Sequence, residues 1–399
     1  MGTDNSFRRT LLLPILLLCV FLGYSINFFF STLLLNVAST FNVPIGTASQ
    51  LVTIGTLTGL IMGFAMSALA IRFKHKSLFL FGIAFYAVGV LVYFFAPNFA
   101  TAILAMVLIG ASLSTIVIMV YTLIGEQLPL ERRGWAAGIV MSSIMASAVV
   151  LGTVSGFIAS IAGWRMVLLG FIFPISMVCL ALAAVVVPSK QPLLQTDVKP
   201  SYVQALKKIF MNKSPLACAV STTLVAFSTV FPIYAVTFLR IIFSASAALG
   251  GVYFAIAAGV GIVGGVVGGR LINRYGRKPL TIVAVLFLAI SAILFTFMPT
   301  AGVSVAIWAI NSFAAAVALA GLPSLTLEQV PEYRASMMSI NNAFYNAGSV
   351  LGVIIGGLVL NLYANNFHIL YVLFGVAGAF TAVVLFFFAK DPCKTGSAT

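Results

Sequence analysis

The sequence predicts an all-α membrane protein in which twelve transmembrane helices form two six-helix bundles related by a tandem parallel repeat. Of its 399 residues, 62% are hydrophobic and only 7% are charged, whereas soluble globular proteins carry about 25% charged residues. Twelve apolar stretches are long enough to cross the roughly 30 Å of membrane hydrocarbon, which takes about 20 helical residues. Two short segments also recur in both halves of the chain at one common offset.

The twelve predicted spans follow one another with short gaps. Their approximate bounds are 12–39, 47–71, 77–96, 100–124, 134–161, 164–187, 215–242, 246–272, 279–298, 301–327, 335–362 and 367–389. The stretches are apolar on every face, whereas strands of a membrane barrel alternate every second residue, so we expect helices. The first run is longer than the 7 to 15 or so apolar residues of a secretory signal, and we expect it to remain as a span.

Basic residues predict the orientation. When alternate loops are counted, 19 Lys and Arg residues fall on one side and two, Arg165 and Arg240, on the other. Loops rich in Lys and Arg stay in the cytoplasm, so both termini are predicted to be cytoplasmic and the protein to lie in a cytoplasmic (inner) membrane. This topology and attraction to the lipid bilayer explain the net charge of +14. No nucleic-acid partner is needed to explain it.

One long connection divides the chain. We predict an N-terminal bundle at 1–187, a cytoplasmic linker at 188–214 and a C-terminal bundle at 215–399. A short amphipathic helix on the membrane surface is predicted within the linker, because four apolar residues fall near one face: Val203, Leu206, Ile209 and Phe210. A plain linker is the simpler interpretation, and a regulatory or partner-binding segment is the alternative.

A shift of 202 positions superimposes the two halves at two separated segments. LAIRFKHKSL at 69–78 falls on LINRYGRKPL at 271–280, and GEQLPLERR at 125–133 falls on LEQVPEYRA at 327–335. The chain is therefore predicted to repeat one six-helix unit twice in the same orientation. This arrangement is typical of transporters whose substrate site lies between the halves near the bilayer midplane.

With these segments in hand, the sequence resembles the major facilitator superfamily over essentially its whole length. The resemblance is carried by GGRLINRYGRK at 268–278 and its degenerate first-half copy, PLERRG at 129–134, GWR at 163–165, and the glycine-rich spans 5 and 11. It implies the major facilitator fold, a small-molecule substrate and alternating access by rocking of the bundles. The layout is most similar to bacterial drug and sugar efflux carriers.

Three marks of the family's proton-driven exporters are absent. The residue before the loop arginine is usually aspartate, but here it is Ile71 in the first half and Asn273 in the second. Met106 stands where antiporters often have arginine, and Gly152 is followed by Thr153 rather than proline. Coupling to protons, as opposed to uncoupled transport, therefore stays open.

Ion pairs at the cytoplasmic ends of the spans are predicted to close that side of the protein and to break when it opens. All seven acids lie in tails, cytoplasmic loops or cytoplasmic helix ends, so a structural role is favoured over a proton-carrying one. Asn273 cannot add the charge that aspartate would bring, which predicts a weaker latch on this side. The predicted pairs join Glu126 to Arg132 or Arg72, and Glu328 to Arg334 or Arg274.

Polar residues near the middle of the spans are the candidate substrate ligands. Span 11 is the richest, because Asn342, Tyr345, Asn346 and Ser349 share one helical face. For a single Ser or Thr, a bond to its own helix is the common alternative, whereas Asn is costlier in hydrocarbon. Such uncharged ligands favour a neutral or lipophilic solute. The candidates outside span 11 are Asn27, Thr56, Ser112, Tyr234 and Asn311.

Signatures of enzymes and of ATP-driven pumps are missing from the sequence. The two histidines, His75 and His368, do not lie beside a carboxylate or another metal ligand within their own segments. The four cysteines stand singly, and no GxxxxGK[ST] phosphate loop occurs. No catalytic residue, metal or cofactor is therefore predicted.

The sequence thus predicts a monomeric secondary carrier that moves a small neutral or lipophilic solute outward by alternating access. An uncoupled facilitator or an uptake carrier is the first alternative. A non-transporting receptor or scaffold built on a carrier fold is a more remote one.

Overall fold

The computed structural model describes residues 2–127, 130–188, 211–327, 329 and 334–391. Within these ranges it contains twelve helices that are long and apolar enough to cross a membrane, and no strand. The predicted class, an all-α protein with twelve spans, is therefore confirmed. The amphipathic helix predicted at 203–210 lies outside the described residues.

We name the twelve helices α1 to α12 in chain order. Their predicted bounds agree with the structure to within about four residues, except that α1 begins well before its predicted start. The bounds are α1 Gly2–Thr40, α2 Ile45–Arg72, α3 His75–Phe94, α4 Phe99–Gln127, α5 Leu130–Ala162, α6 Arg165–Val186, α7 Lys213–Ile242, α8 Ala247–Tyr275, α9 Arg277–Phe295, α10 Ala301–Leu327, α11 Arg334–Leu362 and α12 Phe367–Phe388.

Two of the helices are interrupted at prolines. In α6, a π-helical turn at Leu168–Ile172 precedes Pro174, and in α7 the helix stops at Ser228 and resumes at Phe231, just before Pro232. Proline lacks an N–H and its ring displaces the carbonyl four residues earlier, so the backbone must adjust there. Hydropathy alone did not predict these interruptions.

The internal contacts of the chain define two compact units. The first comprises Met1–Gln195 and Ser244–Ala255, and the second comprises Thr196–Phe243 and Ile256–Thr399. The start of α8 is thus grouped with the first unit, because Gly156 and Gly251 bring α5 and α8 into backbone contact. The predicted bundle bounds remain a prediction.

In the first unit, α1 packs on α5, and α2 crosses α4. The hydroxyls of Ser143 and Ser147 on α5 donate to backbone carbonyls of α1 at 2.7 and 2.9 Å. At the second crossing the backbones touch, since a Cβ atom on Gly110 would lie only 2.1 Å from the carbonyl oxygen of Gly55. Only glycine fits such a crossing, as is common between membrane helices.

In the second unit, α11 packs on α7 through glycines, and α9 packs on α10. A Cβ atom on Gly348 would lie 2.1 Å from the carbonyl oxygen of Thr223, and one on Gly356 would lie 2.9 Å from the ring of Tyr234. Aromatic side chains pack around Phe231 in the core of this unit. Its ring centroid lies 4.8 Å from that of Phe295 and 4.7 Å from that of Tyr371.

The shift of 202 positions reappears in the contacts of the folded chain, which confirms the tandem repeat. The ammonium of Lys76 donates to the carbonyl of Ala184 at 2.7 Å, and Lys278 donates to the carbonyl of Phe386 at 3.0 Å. Both partners of the second bond are displaced from those of the first by the same 202 positions. Further pairs at this offset are Phe29–Tyr93 with Phe231–Phe295, and Gly59–Gly110 with Gly261–Ser312.

Candidate functional site

One side of α11 is fixed against α7. Asn341 is 6% exposed and accepts a hydrogen bond from the hydroxyl of Thr222 at 2.7 Å. Gly348 and Gly352 follow on the same side and meet the backbone of α7. These contacts set the rotation of α11 about its axis, which the apolar sequence around it does not reveal.

The polar face of α11, formed by Asn342, Tyr345, Asn346 and Ser349, is turned away from that packed side. At about 100° per residue, its centre lies about a quarter turn from the glycines. Asn342 is exposed and the other three are half-buried. Four side chains able to donate and accept hydrogen bonds are thus presented together, and none of them carries a charge.

Most of the remaining candidate ligands make hydrogen bonds within the fold. Thr56 and Ser112 donate to carbonyls of their own helices at 2.9 and 2.7 Å. Tyr234 is fully buried and donates to the carbonyl of Val353 at 3.1 Å.

Asn311 is also buried, and its amide nitrogen lies 3.0 Å from both the carbonyl of Leu288 and the hydroxyl of Ser291. These bonds hold Asn311 against α9, and the bond of Tyr234 to Val353 holds that side chain against α11. Asn27 on α1 remains half-buried. Its role as a substrate ligand, like that of the polar face of α11, stays a prediction.

A second polar cluster lies at the basic end of the first unit, the end that carries the α2–α3 and α4–α5 connections. His75, in the first turn of α3, places Nδ1 2.6 Å from Oε1 of Glu126 in the last turn of α4. Its Nε2 lies 3.1 Å from the carbonyl oxygen of Ala70 in α2. One imidazole ring therefore joins three helices.

Glu126 thus contacts His75, a partner that the sequence did not suggest, and its expected pairing with Arg72 or Arg132 stays a prediction. Arg72 is exposed, as is Arg274 in the second unit, whose guanidinium lies 5.4 Å from the ring centroid of Tyr275. Glu328 and the side chains of Arg132, Asn273 and Arg334 lie outside the described residues.

Sequence reasoning missed His75 because its partner stands 51 residues away on another helix. The shift of 202 positions places His75 on Arg277, which marks the position as basic in both halves but does not identify its partner. It also places Glu126 on Glu328.

The basic end of the second unit, which carries the α8–α9 and α10–α11 connections, uses different chemistry. Arg277 stands in the position of His75 and donates to the carbonyl of Ser324 at 3.3 Å. A ring of hydrogen bonds beside it joins α7, α10 and the end of α12: Ser214 donates to Gln329 at 2.5 Å, Gln329 to the carbonyl of Lys390 at 2.9 Å, and the N–H of Lys390 to Ser214 at 2.8 Å.

In the part of the chain that the structure describes, no group of three or more His, Cys, Asp or Glu residues is close enough to hold an ion. Cys19, Cys179 and Cys218 are buried within helices and are not in disulfides.

Twelve membrane-length helices in a tandem repeat indicate a multi-pass membrane protein, and the uncharged polar face on one of them is typical of a transporter. The sequence pattern described as Major Facilitator Superfamily matches residues 16–310 and 301–398. The chain therefore belongs to this superfamily.

A relative from Bacillus subtilis (strain 168), named "Uncharacterized MFS-type transporter YcnB", is 27% identical over 195 residues. The match covers 49% of this chain and 41% of that relative, so the chain aligns with less than half of the relative's length.

Solved structures of transporters resemble almost the whole chain. A D-xylose-proton symporter matches with a TM-score of 0.78 at 16% identity, covering 96% of this chain and 98% of its own. A bacterial homolog to the human lysosomal transporter Spinster, inward-facing and unoccupied, gives 0.76 at 17%, covering 96% and 95%. The nucleoside transporter NupG gives 0.74 at 15%, covering 95% and 100%. At these identities the likeness establishes the fold alone.

Proposed function

We propose that the protein is a secondary carrier that moves a small neutral or lipophilic solute outward across the cytoplasmic membrane by alternating access. The basic ends of both units face the cytoplasm in this proposal, because 19 of 21 Lys and Arg residues fall on that side by loop counting. The chain works as a monomer, with the solute and the lipid bilayer as its partners.

The polar face of α11 is the observation that carries the proposal. Amides and hydroxyls exposed to hydrocarbon are costly, so such a face belongs on a protein interior or along a watery path. Asn342 and Asn346 offer donors and acceptors without charge. They suit hydroxyl, carbonyl or amide groups of a neutral solute better than an ion, which would call for an opposite charge.

Two of the similar structures are described as a D-xylose-proton symporter and a nucleoside transporter. Sugars and nucleosides are neutral solutes rich in hydrogen-bonding groups, which agrees with an uncharged polar face. Because the likeness is one of fold, the solute class in this proposal rests on the α11 side chains.

Flux in liposomes tests the proposal. Purified protein should give saturable movement of at least one solute in a panel of sugars, nucleosides and lipophilic drugs. The double variant Asn342→Ala, Asn346→Ala should lower its initial rate by about tenfold or more, as expected when two hydrogen bonds to a solute are lost. Asn361→Ala, an exposed position at the far end of the same helix, is the matched control and should keep the rate.

The opposite results would exclude the proposal. No saturable flux of any solute would favour a receptor or scaffold, in which changes to segment 188–214 abolish activity and the α11 variants do not. Full flux in a folded double variant would remove the polar face of α11 from the solute site.

An uncoupled facilitator or uptake carrier is the second candidate, and one observation favours it. None of the seven acids lies in the middle of a span, where a carboxylate would ordinarily carry the coupled proton. Flux measured with and without an imposed pH gradient distinguishes the two. Acceleration by the gradient supports exchange for protons, and no change supports the facilitator.

A further inference from the structure

Both ring nitrogens of His75 face hydrogen-bond acceptors. Nε2 faces the carbonyl oxygen of Ala70 at 3.1 Å, and Nδ1 faces a carboxylate oxygen of Glu126 at 2.6 Å. The second distance is in the short range of charge-assisted bonds. A neutral imidazole has one N–H and one lone pair, so it cannot donate to both.

The two contacts of His75 fix the number of protons that the pair of His75 and Glu126 must hold. A carbonyl oxygen only accepts, so the contact to Ala70 needs a proton on Nε2. The contact to Glu126 then needs another proton, either on Nδ1 of the ring or on the carboxyl group. In both forms the pair holds one proton more than a neutral imidazole beside an ionised carboxylate. Such a coupled proton belongs to the pair rather than to one residue.

We propose that His75 and Glu126 form a proton-binding site at the basic end of the first unit. One proton holds the ring to α2 and α4 together, and its release breaks one of the two contacts. The site belongs to the first unit alone and does not depend on which solute is carried.

The pair is partly buried, so its proton can exchange with solvent while the fold keeps both side chains in place. The side chain of His75 is 12% exposed and that of Glu126 is 20% exposed. Both acceptors lie at helix C-termini, where the helix dipole favours a positive charge, whereas the dipole of α3 opposes one because His75 stands in its first turn. Histidine is also the residue type whose charge changes between about pH 5 and 8.

Other charged side chains lie at the basic end of the first unit, and the structure describes three of them. Arg72 and Lys74, beside the site on the α2 side, are exposed, and Lys76 on α3 donates to the carbonyl of Ala184 on α6. Tyr121 is the other titratable residue near the end of α4, five residues before Glu126. At the start of α5, three charged side chains lie outside the described residues: Glu131, Arg132 and Arg133.

The second unit supplies an internal contrast. Arg277 occupies the equivalent position, and a guanidinium stays charged at every physiological pH. The repeat therefore carries a titratable cation in one copy and a permanent one in the other. Proton release at this position is possible in the first unit because His75 stands where the second unit has Arg277.

Nuclear magnetic resonance of the full-length protein in lipid nanodiscs tests the proposal directly. The chain has two histidines, so ¹⁵N-labelled histidine gives two sets of ring signals, which His368→Gln assigns. Ring ¹⁵N shifts reveal which nitrogens carry a proton, and ¹³C-labelled glutamate carboxyls reveal the state of Glu126, assigned by Glu126→Gln. At pH 7 we expect either both ring nitrogens of His75 to be protonated or Glu126 to be a carboxylic acid.

Raising the pH should release that single proton. A neutral ring beside an ionised Glu126 at pH 7 would overturn the proposal, and this wild-type result alone decides it. His368, which lies at the start of α12 with its ring 5.0 Å from Phe297, is the reference within the same sample.

Glu126→Gln sharpens the test. A glutamine can donate its amide N–H to Nδ1 while Nε2–H still donates to Ala70, so both contacts persist with a neutral ring. We expect His75 in this variant to be neutral at pH 7 and protonated on Nε2 only. Suppose that the wild-type ring carries both protons. If the folded variant then gives the same ring signals, Glu126 is not needed to hold the proton and the proposed pair is wrong.

Hydrogen exchange measures the consequence for the fold. Backbone amides in 68–78 should gain protection below the pH of release beyond the intrinsic effect of pH, because the proton fastens α3 to α2 and α4. His75→Arg should remove this extra pH dependence, and Lys74→Gln, an exposed neighbour, should keep it. An identical profile in wild type and His75→Arg would contradict the proposed role.

Discussion

The basic ends of the two units occupy the same place in the repeat but differ in chemistry. Lys76 and Lys278 make the same bond to the last helix of their unit, at 2.7 and 3.0 Å. One residue earlier, the first unit has a histidine, His75, in contact with Glu126, whereas the second has an arginine, Arg277, whose contacts include the carbonyl of Ser324. The repeat has therefore kept the lysine contact, while the neighbouring cation has diverged between a titratable and a permanent charge.

The helix crossings diverge in a similar way. Where α2 crosses α4, Gly55 and Gly110 bring the backbones together. At the equivalent crossing of α8 and α10, Ser312 stands in the position of Gly110, and a Cβ atom on Gly261 would lie 3.6 Å from it. The backbones thus approach more closely at Gly55 and Gly110 than at Gly261 and Ser312, although further along the second crossing a Cβ atom on Gly264 would lie 2.7 Å from the carbonyl oxygen of Phe313.

The largest effect is expected where the crossing is tightest. Gly110→Ala would place a methyl group 2.1 Å from the carbonyl oxygen of Gly55, so the helices must separate. We expect a loss of about 3 kcal/mol or more in the free energy of unfolding, at the upper end of overpacking effects. Ser312→Ala in the second unit should cost about 0.5 kcal/mol or less. Thermal unfolding in detergent compares the two, and equal losses would refute the difference between the crossings.

A smaller and pH-dependent effect is expected from His75→Gln. The folded pair binds a proton, so its stabilising contribution is present at low pH and is lost as the pH rises. The variant should lose about 1–3 kcal/mol at low pH, as expected for a hydrogen-bonded charged group, and less at high pH. Arg277→Gln should lose an amount that does not change with pH between about 6 and 9. Melting temperatures across this range measure both, and a pH-independent loss for His75→Gln would contradict the comparison.

The smallest effect is expected from the lysines that the two units share. Lys76→Met and Lys278→Met keep the apolar stem but remove the ammonium that meets the last carbonyls of α6 and α12. Each should cost about 0.3–1 kcal/mol, the usual worth of a cation at a helix C-terminus, and the two losses should be similar. Chemical unfolding of the two single variants checks this, and a loss confined to one of them would show that the bond is not equivalent in both units.

Much of the fold could be predicted because hydropathy and a shared offset are one-dimensional signals. The twelve spans and the repeat rest on apolar runs and on two matched segments, and neither requires knowledge of which helices touch. The turn before Pro174 and the break before Pro232 escaped prediction, since hydropathy alone does not reveal an interruption within a span. The prolines were the available signal.

The candidate site was less predictable because it depends on helix rotation and on contacts distant in sequence. Periodicity grouped Asn342 with Asn346, but it could not show that Asn341 would turn towards Thr222. Nor could it bring His75 to Glu126, which lies on another helix. Periodicity identified the polar face of α11 but not the side that packs on α7, which is shown by the glycine contacts and by the hydrogen bond from Thr222 to Asn341.

The ring ¹⁵N spectrum of histidine-labelled protein at pH 7, read together with the Glu126 carboxyl signal, tests most directly the claim that the first repeat carries a titratable site. The account predicts one bound proton, seen either as a doubly protonated His75 or as a carboxylic acid at Glu126. It also predicts the loss of that proton as the pH rises. A neutral His75 beside an ionised Glu126 at pH 7 would contradict it.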